Sequence, residues 1–195
     1  MKLLSLFIFL AVIVSFEAKA FLPSEAYTFD FNVKTNRISR YKENKLMEAV
    51  ELLREVFASE DFRKKILNHR FRGKYRYSYN KGLTNYQIYK RILKGREELY
   101  PYVNNAMDVE IDFFTNHKSI VIGYTWPHSK KIWMNTKYFN RFEVEEIASH
   151  LLHEWLHKLG FDHERNRTHD RQFSVPYAIG RIAHDIAREI NENRN

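Results

Sequence analysis

Apolar side chains recur at steps of three and four residues over much of the chain, which is the spacing of an amphipathic helix. In residues 43–59 this apolar face consists of Leu46, Val50, Leu53 and Phe57. The same pattern, together with capping residues, predicts further helices over residues 59–68, 84–95, 140–160 and 179–190. Gly95 is expected to end the helix over 84–95, and Asn140 is the expected N-cap of the helix over 140–160.

Three later stretches are rich in β-branched and aromatic residues and are separated by turn-like segments, which indicates β-strands. They cover residues 107–114, 118–125 and 131–135. Residues 21–36 are expected to form an extended lead-in. Because helices come first, a small sheet follows and a long helix comes after the sheet, the expected fold class is α+β.

The stretch HRFRGKYRYSYN, residues 69–80, alternates between aromatic and basic side chains, which predicts a strand with an aromatic inner face and a basic outer face. The aromatic set is Phe71, Tyr75, Tyr77 and Tyr79, and the basic set is Arg70, Arg72, Lys74 and Arg76. Such a surface is one way to bind nucleic acid or an anionic glycan. Lysine and arginine are also common on the solvent side of an edge strand, and we favour that interpretation, with no nucleic-acid partner.

The N-terminal segment has the three parts of an export signal. Lys2 supplies the positive start, an apolar run follows it, and Ala18 and Ala20 form a small-x-small cleavage site. The apolar run is shorter than the roughly 20 residues that cross a bilayer as a helix. We therefore predict that residues 1–20 are a signal peptide cleaved after Ala20. The protein is then secreted or periplasmic, has no stable membrane anchor, and consists of one domain over residues 21–195.

Composition and charge change this picture in two respects. The chain contains no cysteine, so an exported protein of this sequence must be stable without disulfides and cannot use a cysteine-based latency switch. The formal net charge is +8 at pH 7. A basic protein outside the cytoplasm is expected to associate with anionic surfaces, such as an anionic envelope polymer.

The predicted helix over 140–160 runs into the stretch HEWLHKLGFDH, which places three histidines and a glutamate in residues 153–163. His153 and His157 are four residues apart, about 40° around a helix and about 6 Å along it, so both imidazoles can reach one metal ion. Glu154 is turned about 100° from His153, which puts its carboxylate beside the ion rather than on it.

A catalytic zinc site needs a third protein ligand and keeps its fourth position open. If the helix continued, His163 would lie about 240° around the axis from His157, nearly on the opposite face. Gly160 can adopt the left-handed conformation that ends a helix and reverses the chain. The spacing therefore predicts His153, His157 and His163 as the ligands of one Zn2+ ion, with Glu154 next to them.

The stretch HEWLHKLGFDHE resembles the zinc signature of the metzincin clan of zinc endopeptidases, and Phe161, Glu164 and Arg167 make it similar to the astacin branch. The resemblance implies a single zincin-like catalytic domain over residues 21–195. Such a domain has a small mixed sheet with an edge strand beside the substrate cleft, an active-site helix and a short C-terminal helical subdomain. The resemblance also implies a zinc-dependent endopeptidase acting on protein or peptide substrates, with Glu154 as the general base.

The resemblance does not extend to the methionine-containing turn that metzincins place beneath the zinc. No methionine follows Met134, and the segment SVPYAIG stands where the turn is expected, with Pro176 at the methionine position. Tyr177 follows immediately, whereas astacins have a tyrosine two residues beyond the methionine. Tyr177 either donates a hydrogen bond to the tetrahedral intermediate or packs in the floor of the site.

Alternatives remain for the function and for several neighbouring residues. A zinc amidase that acts on cell-wall peptides would use the same site, and so would a catalytically inactive zinc-binding relative. The intact Glu154 argues against the inactive relative, since a structural zinc site needs no base. His150 is either an extra ligand or a neutral histidine behind the ligands, and Asp162 or Asp170 is expected to orient a ligand imidazole by hydrogen bonding.

Overall fold

The computed structural model describes residues 29–36 and 38–194. The predicted signal peptide, residues 1–20, and its cleavage site after Ala20 lie outside the described residues. In chain order the elements are β1 (Asp30–Thr35), α1 (Arg40–Ala58), α2 (Glu60–Leu67), β2 (Arg70–Phe71), β3 (Lys74–Tyr75), α3 (Asn85–Lys94), β4 (Ala106–Phe114), β5 (Gly123–Thr125), β6 (Lys131–Asn135), α4 (Thr136–Phe139), α5 (Val144–Lys158), a 3-10 turn (Asp170–Phe173) and α6 (Val175–Glu192).

A four-stranded mixed sheet with the strand order β1-β4-β6-β5 is the centre of the fold. β1 pairs with β4, and β4 with β6, in parallel, so part of the predicted extended lead-in is a strand. β5 pairs with β6 in the antiparallel sense and forms one edge of the sheet. The α+β class and the small mixed sheet are therefore confirmed.

The helices α1, α5 and α6 pack against one another, and α1 and α5 also contact strands of the sheet. In β4, Met107, Val109 and Ile111 are buried on one side, as the period of two in a strand requires. Trp155 of α5 is fully buried, and its ring lies 5.7 Å from that of Phe29, centroid to centroid. This core fixes the orientation of α5 and therefore of the histidines that it carries.

The prediction of a long strand over residues 69–80 is wrong. The chain reverses at Arg72 and Gly73, whose φ angles are +50° and +74°, and forms only the short hairpin strands β2 and β3. Two consecutive positive φ angles are typical of a type I′ hairpin turn, which side-chain alternation does not reveal. The prediction of a single aromatic inner face is also wrong. Phe71 and Tyr77 are buried, whereas Tyr75 and Tyr79 are exposed.

Helix α5 begins at Val144 rather than at residue 140. Asn140, the predicted N-cap, is instead the C-cap of the one-turn helix α4. The N-cap of α5 is Glu143, whose N–H donates to Glu146 Oε2 at 2.8 Å. Carboxylates suit this position because the N-terminus of a helix carries a partial positive charge.

Two other element ends also differ from their predictions. Helix α6 begins at Val175 instead of residue 179, with Ser174 as its N-cap and Pro176 in its first turn, where proline is well tolerated. Strand β5 covers only the last three residues of the predicted strand over 118–125.

Candidate metal centre

Helix α5 presents two of the predicted ligands on one face. The ring centroids of His153 and His157 are 5.1 Å apart, as expected for residues one helical turn apart. The buried stripe of the same helix consists of Ile147, Ala148, Leu151, Leu152, Trp155 and Leu156. Because that stripe is packed in the core, the helix cannot rotate, and the histidine face keeps its direction.

Gly160 ends α5 and turns the chain back, as the spacing of the motif predicts. Its φ angle is +83°, and its N–H donates to the His157 carbonyl at 2.9 Å. Phe161, only 1% exposed, anchors the turn in the core. The His163 ring thereby lies 5.3 Å from that of His153 and 4.9 Å from that of His157, centroid to centroid.

The three histidines His153, His157 and His163, called the three-histidine site below, have a geometry and chemistry that fit one zinc ion. One ring nitrogen of each lies within 4.8 Å of the other two. Three imidazoles form a ligand set of catalytic zinc, which leaves a fourth position open. Hard cations such as Mg2+ and Ca2+ prefer oxygen ligands, which this set does not supply.

Backbone carbonyls orient the rings of the three-histidine site. In each ring one nitrogen hydrogen-bonds to a backbone group: His157 Nδ1 to Phe161 O at 2.8 Å, His163 Nδ1 to Glu164 O at 2.9 Å, and His153 to Pro176. Pro176 has no N–H, so its carbonyl is the acceptor. A ring that donates through one nitrogen keeps the lone pair of the other for a metal.

The expected carboxylate partners do not have this role. Asp170 forms an ion pair with Arg72 at 2.7 Å. Asp162 Oδ1 lies 3.9 Å from His157 Nδ1, beyond hydrogen-bond distance, and its side chain is 81% exposed. The prediction that Asp162 or Asp170 orients an imidazole is therefore wrong, because local carbonyls already occupy those ring nitrogens.

Burial favours the neutral form of the three imidazoles. It lowers the pKa of each ring below the ordinary value of histidine. The positive charge of Arg171 acts in the same direction on His157 and His163. Neutral imidazole is the form that binds a metal, so the site is ready to bind without losing protons.

Glu154 lies beside the site without being part of the converging set of ligand atoms. It is 5% exposed, and burial raises the pKa of its carboxyl to about 8, although the nearby Lys158 acts in the opposite direction. A bound cation would lower this value again. A carboxyl group with a pKa near the working pH is suited to both accept and return a proton.

The floor of the site is the first turn of α6 rather than a methionine-containing turn. The Tyr177 ring lies 4.5 Å from that of His153 and 4.7 Å from that of His163. Its hydroxyl hydrogen-bonds with the guanidinium of Arg171, and Pro176 beside it is buried. Tyr177 therefore packs in the floor, and its hydrogen bond to a reaction intermediate stays a prediction.

Three contributions to the site were not found from the sequence: those of Gly123, of Arg171, and of the Pro176 carbonyl that accepts a hydrogen bond from His153. Pro176 had a usable signal, because Ser174 and Pro176 together are typical of a helix start. Gly123 and Arg171 carry no local signal, since they reach the site only through the packing of β5 against α5 and of the 3-10 turn against α6. His150, the candidate extra ligand, lies outside the converging set, with its ring 6.3 Å from that of His153.

A separate cleft of about 910 Å³ lies along α3 and the loop that follows it. None of the three histidines lines this cleft; its charged residues are Lys90, Arg91, Lys94, Arg96, Glu97 and Glu98. We place the functional centre at the three-histidine site, because cleft volume alone identifies no chemistry.

Comparison of the chain with protein-family models, with curated proteins and with solved structures gives no match. Within the described residues, no helix combines the length and the apolar character needed to span a bilayer. Function is therefore inferred from the geometry of the site and from the resemblance of its motif to the metzincin signature.

Proposed function

We propose that the protein is an exported, zinc-dependent, metzincin-like endopeptidase that hydrolyses peptide bonds in protein or peptide substrates. The observation that carries this proposal is the convergence of three half-buried imidazoles, whose ligand nitrogens lie within 4.8 Å of one another, with a buried carboxyl group beside them. A site that held zinc only for structure would be expected to be closed by a fourth protein ligand.

The chain's own residues account for the steps of such a reaction. His153, His157 and His163 would hold the ion and leave one position open. Zinc, when bound there, supplies a Lewis acid that lowers the pKa of water toward 7 and polarises the scissile carbonyl. Glu154 takes the proton of the attacking water and later delivers it to the leaving amine.

The sheet edge beside the site suits an extended peptide. β5 is the antiparallel edge strand, and it lies against α5. An edge strand offers backbone N–H and C=O groups to which a peptide can pair as an additional strand. This arrangement supports a polypeptide substrate and a cut within the chain rather than at its end.

A digest of denatured protein tests the proposal. The purified, zinc-loaded protein is incubated with a fluorescently labelled denatured protein, next to a Glu154→Ala variant. We expect fragments from the wild type, their loss on addition of a chelator, and a rate lower by about 10²- to 10⁴-fold in the variant, because it lacks the base. Glu48→Ala, which removes an exposed carboxylate of α1, is the matched control and should retain wild-type activity.

The same experiment separates the alternatives. A parallel digest of purified cell-wall material distinguishes a zinc amidase of wall peptides, which would release wall fragments and leave denatured protein intact. A folded, zinc-loaded protein that cleaves neither substrate would identify a non-catalytic zinc-binding protein. The net charge of +8 suits an anionic polymer near the enzyme in either case.

A further inference from the structure

His150 is a largely buried histidine on α5 that the proposed reaction does not use. Its side chain is 14% exposed, and it lies one turn before His153 on the helix. Among the described residues, its Nε2 atom is buried and has no hydrogen-bond partner. Buried polar atoms without a partner are rare in folded proteins, so this nitrogen needs an explanation.

The surroundings of His150 offer almost no other polar group. It borders a cavity of about 10 Å³, which is at the lower limit for a single water molecule. The other lining residues are Ile122, Met134, Asn135, Phe139, Phe142 and Ile147. Asn135 is the one polar side chain among them, and its amide already donates to the Asn116 and Val121 carbonyls at 3.1 Å each.

Glu154 is the polar group that faces the unpartnered nitrogen. Its Oε1 lies 3.8 Å from His150 Nε2, and the two residues are one helical turn apart. The separation exceeds the usual upper limit of about 3.2 Å for an N–H···O hydrogen bond by roughly 0.6 Å, a gap that a small rotation of the Glu154 side chain would close.

The edge strand leaves room for the His150 ring. A Cβ atom on Gly123 of β5 would lie 2.3 Å from His150 Nε2 and 2.7 Å from the Trp133 carbonyl. Gly123 does not have a positive φ angle, so its backbone conformation does not require glycine. The absence of a side chain there is explained by the close approach of His150.

We propose that His150 is a positioning residue for Glu154, with its Nε2–H donating a hydrogen bond to Glu154 Oε1 and holding the carboxylate beside the three-histidine site. A ring nitrogen that faces a carboxylate oxygen carries its proton there, because two facing lone pairs would repel each other. His150 would contact neither the substrate nor the ion. Its role in catalysis rests on the proposed function, but the hydrogen bond itself does not.

The hydrogen bond is tested first by NMR, on the full-length protein labelled with ¹⁵N at histidine. We expect the His150 ring to carry its proton on Nε2, with the signal assigned by its loss in His150→Gln. Glu154→Ala should shift that ¹⁵N signal and speed the exchange of its proton with water. A His150 ring protonated on Nδ1 alone, or a signal unchanged by Glu154→Ala, would overturn the proposal.

The positioning role is tested by kinetics on the labelled denatured protein. His150→Leu should lower kcat by about 10- to 100-fold, the usual effect of losing an orienting partner. KM and the zinc content should stay at wild-type values. His150→Gln, whose amide can still donate to Glu154, should recover most of kcat. Equal activity in the wild type and a folded His150→Leu, or equal losses in the Leu and Gln variants, would contradict the role.

Failure of the proposed function would look different from failure of this inference. If the wild type cleaves no substrate, the endopeptidase proposal fails, and the NMR measurement still decides whether His150 holds Glu154. If the wild type is active and only the His150 predictions fail, the endopeptidase proposal is unaffected. Thermal unfolding of both variants separates misfolding from loss of the contact.

Discussion

Burial shifts the pKa of several single residues in this protein. The same effect that keeps the site imidazoles neutral acts on Glu97, which is 2% exposed and whose pKa is raised chiefly by burial. Glu97 Oε1 accepts hydrogen bonds from Trp155 Nε1 at 2.7 Å and from Asp108 N–H at 3.1 Å. These bonds tie α5 to β4, so a buried carboxyl group supports the position of the site.

His69 gives a pH-dependent stability that is separate from the metal centre. Its ring stacks on that of Tyr77 at 4.1 Å, and burial, with a smaller effect of Arg181, lowers its pKa from 6.5 to about 4. The unfolded chain binds the proton first as the pH falls. His69 therefore costs no stability above pH 6.5, and stability is lost progressively from pH 6.5 toward pH 4.

The variant His69→Phe should keep the ring stacking and remove this proton uptake. Between pH 7 and pH 5, the free energy of unfolding should fall less in the variant than in the wild type. The difference is on the order of 1–2 kcal/mol, allowing for the partial exposure of the ring. Chemical unfolding at the two pH values measures it. If the free energy of unfolding fell equally with pH in the two proteins, His69 would have the same pKa in the folded and the unfolded chain, which contradicts the prediction.

At the scale of elements, the site is the junction of α5 with β5, α6 and the turn at Gly160. α6 is held against α5 by the Ser149 hydroxyl, which donates to the Gly180 carbonyl at 2.8 Å. The turn is held by Glu98, whose N–H donates to the Lys158 carbonyl at 2.8 Å. The first contact fixes α6, which provides the Pro176 carbonyl, against α5, and the second fixes the end of α5 just before the turn.

The turn at Gly160 should be sensitive to a single added methyl group. A Cβ atom there would lie 2.1 Å from Glu98 Oε1, on a residue with a φ angle of +83°. Gly160→Ala should therefore lower the free energy of unfolding by about 1–3 kcal/mol. It should also weaken zinc binding by roughly 10- to 100-fold, because His163 is displaced from the other two ligands.

Gly73 provides the matched control for Gly160. Its φ angle is +74°, and a Cβ atom there would meet nothing within 4 Å. Gly73→Ala should cost about 1 kcal/mol of stability through backbone strain alone and should leave zinc affinity unchanged. Calorimetric zinc titration and chemical unfolding of both variants make the comparison. Equal zinc affinity in the two variants would show that the turn does not position His163.

For the whole molecule, local patterns predicted much of the fold and the convergence of the three histidines. The helices and this convergence could be predicted because their signals lie within one helix and one turn, as with His153, His157 and Gly160. The hairpin turn at Arg72 was not predicted, because the positive φ angles of Arg72 and Gly73 do not alter the alternation of aromatic and basic side chains. The contacts of Gly123 and Pro176 with residues of α5 depend on packing between elements far apart in sequence. The spacing of apolar residues along the chain predicts single helices and strands but not how they pack together.

Stoichiometric zinc titration of the metal-free protein, with cleavage of denatured protein as the readout, tests whether one zinc ion per chain makes the protein a peptidase. The rate should rise in proportion to added zinc and level off at one ion per chain, since the described residues converge as one set of three ligands. Glu154→Ala should bind one zinc ion and stay inactive. Zinc binding without any rise in cleavage, or cleavage that persists in the metal-free protein, would contradict the account.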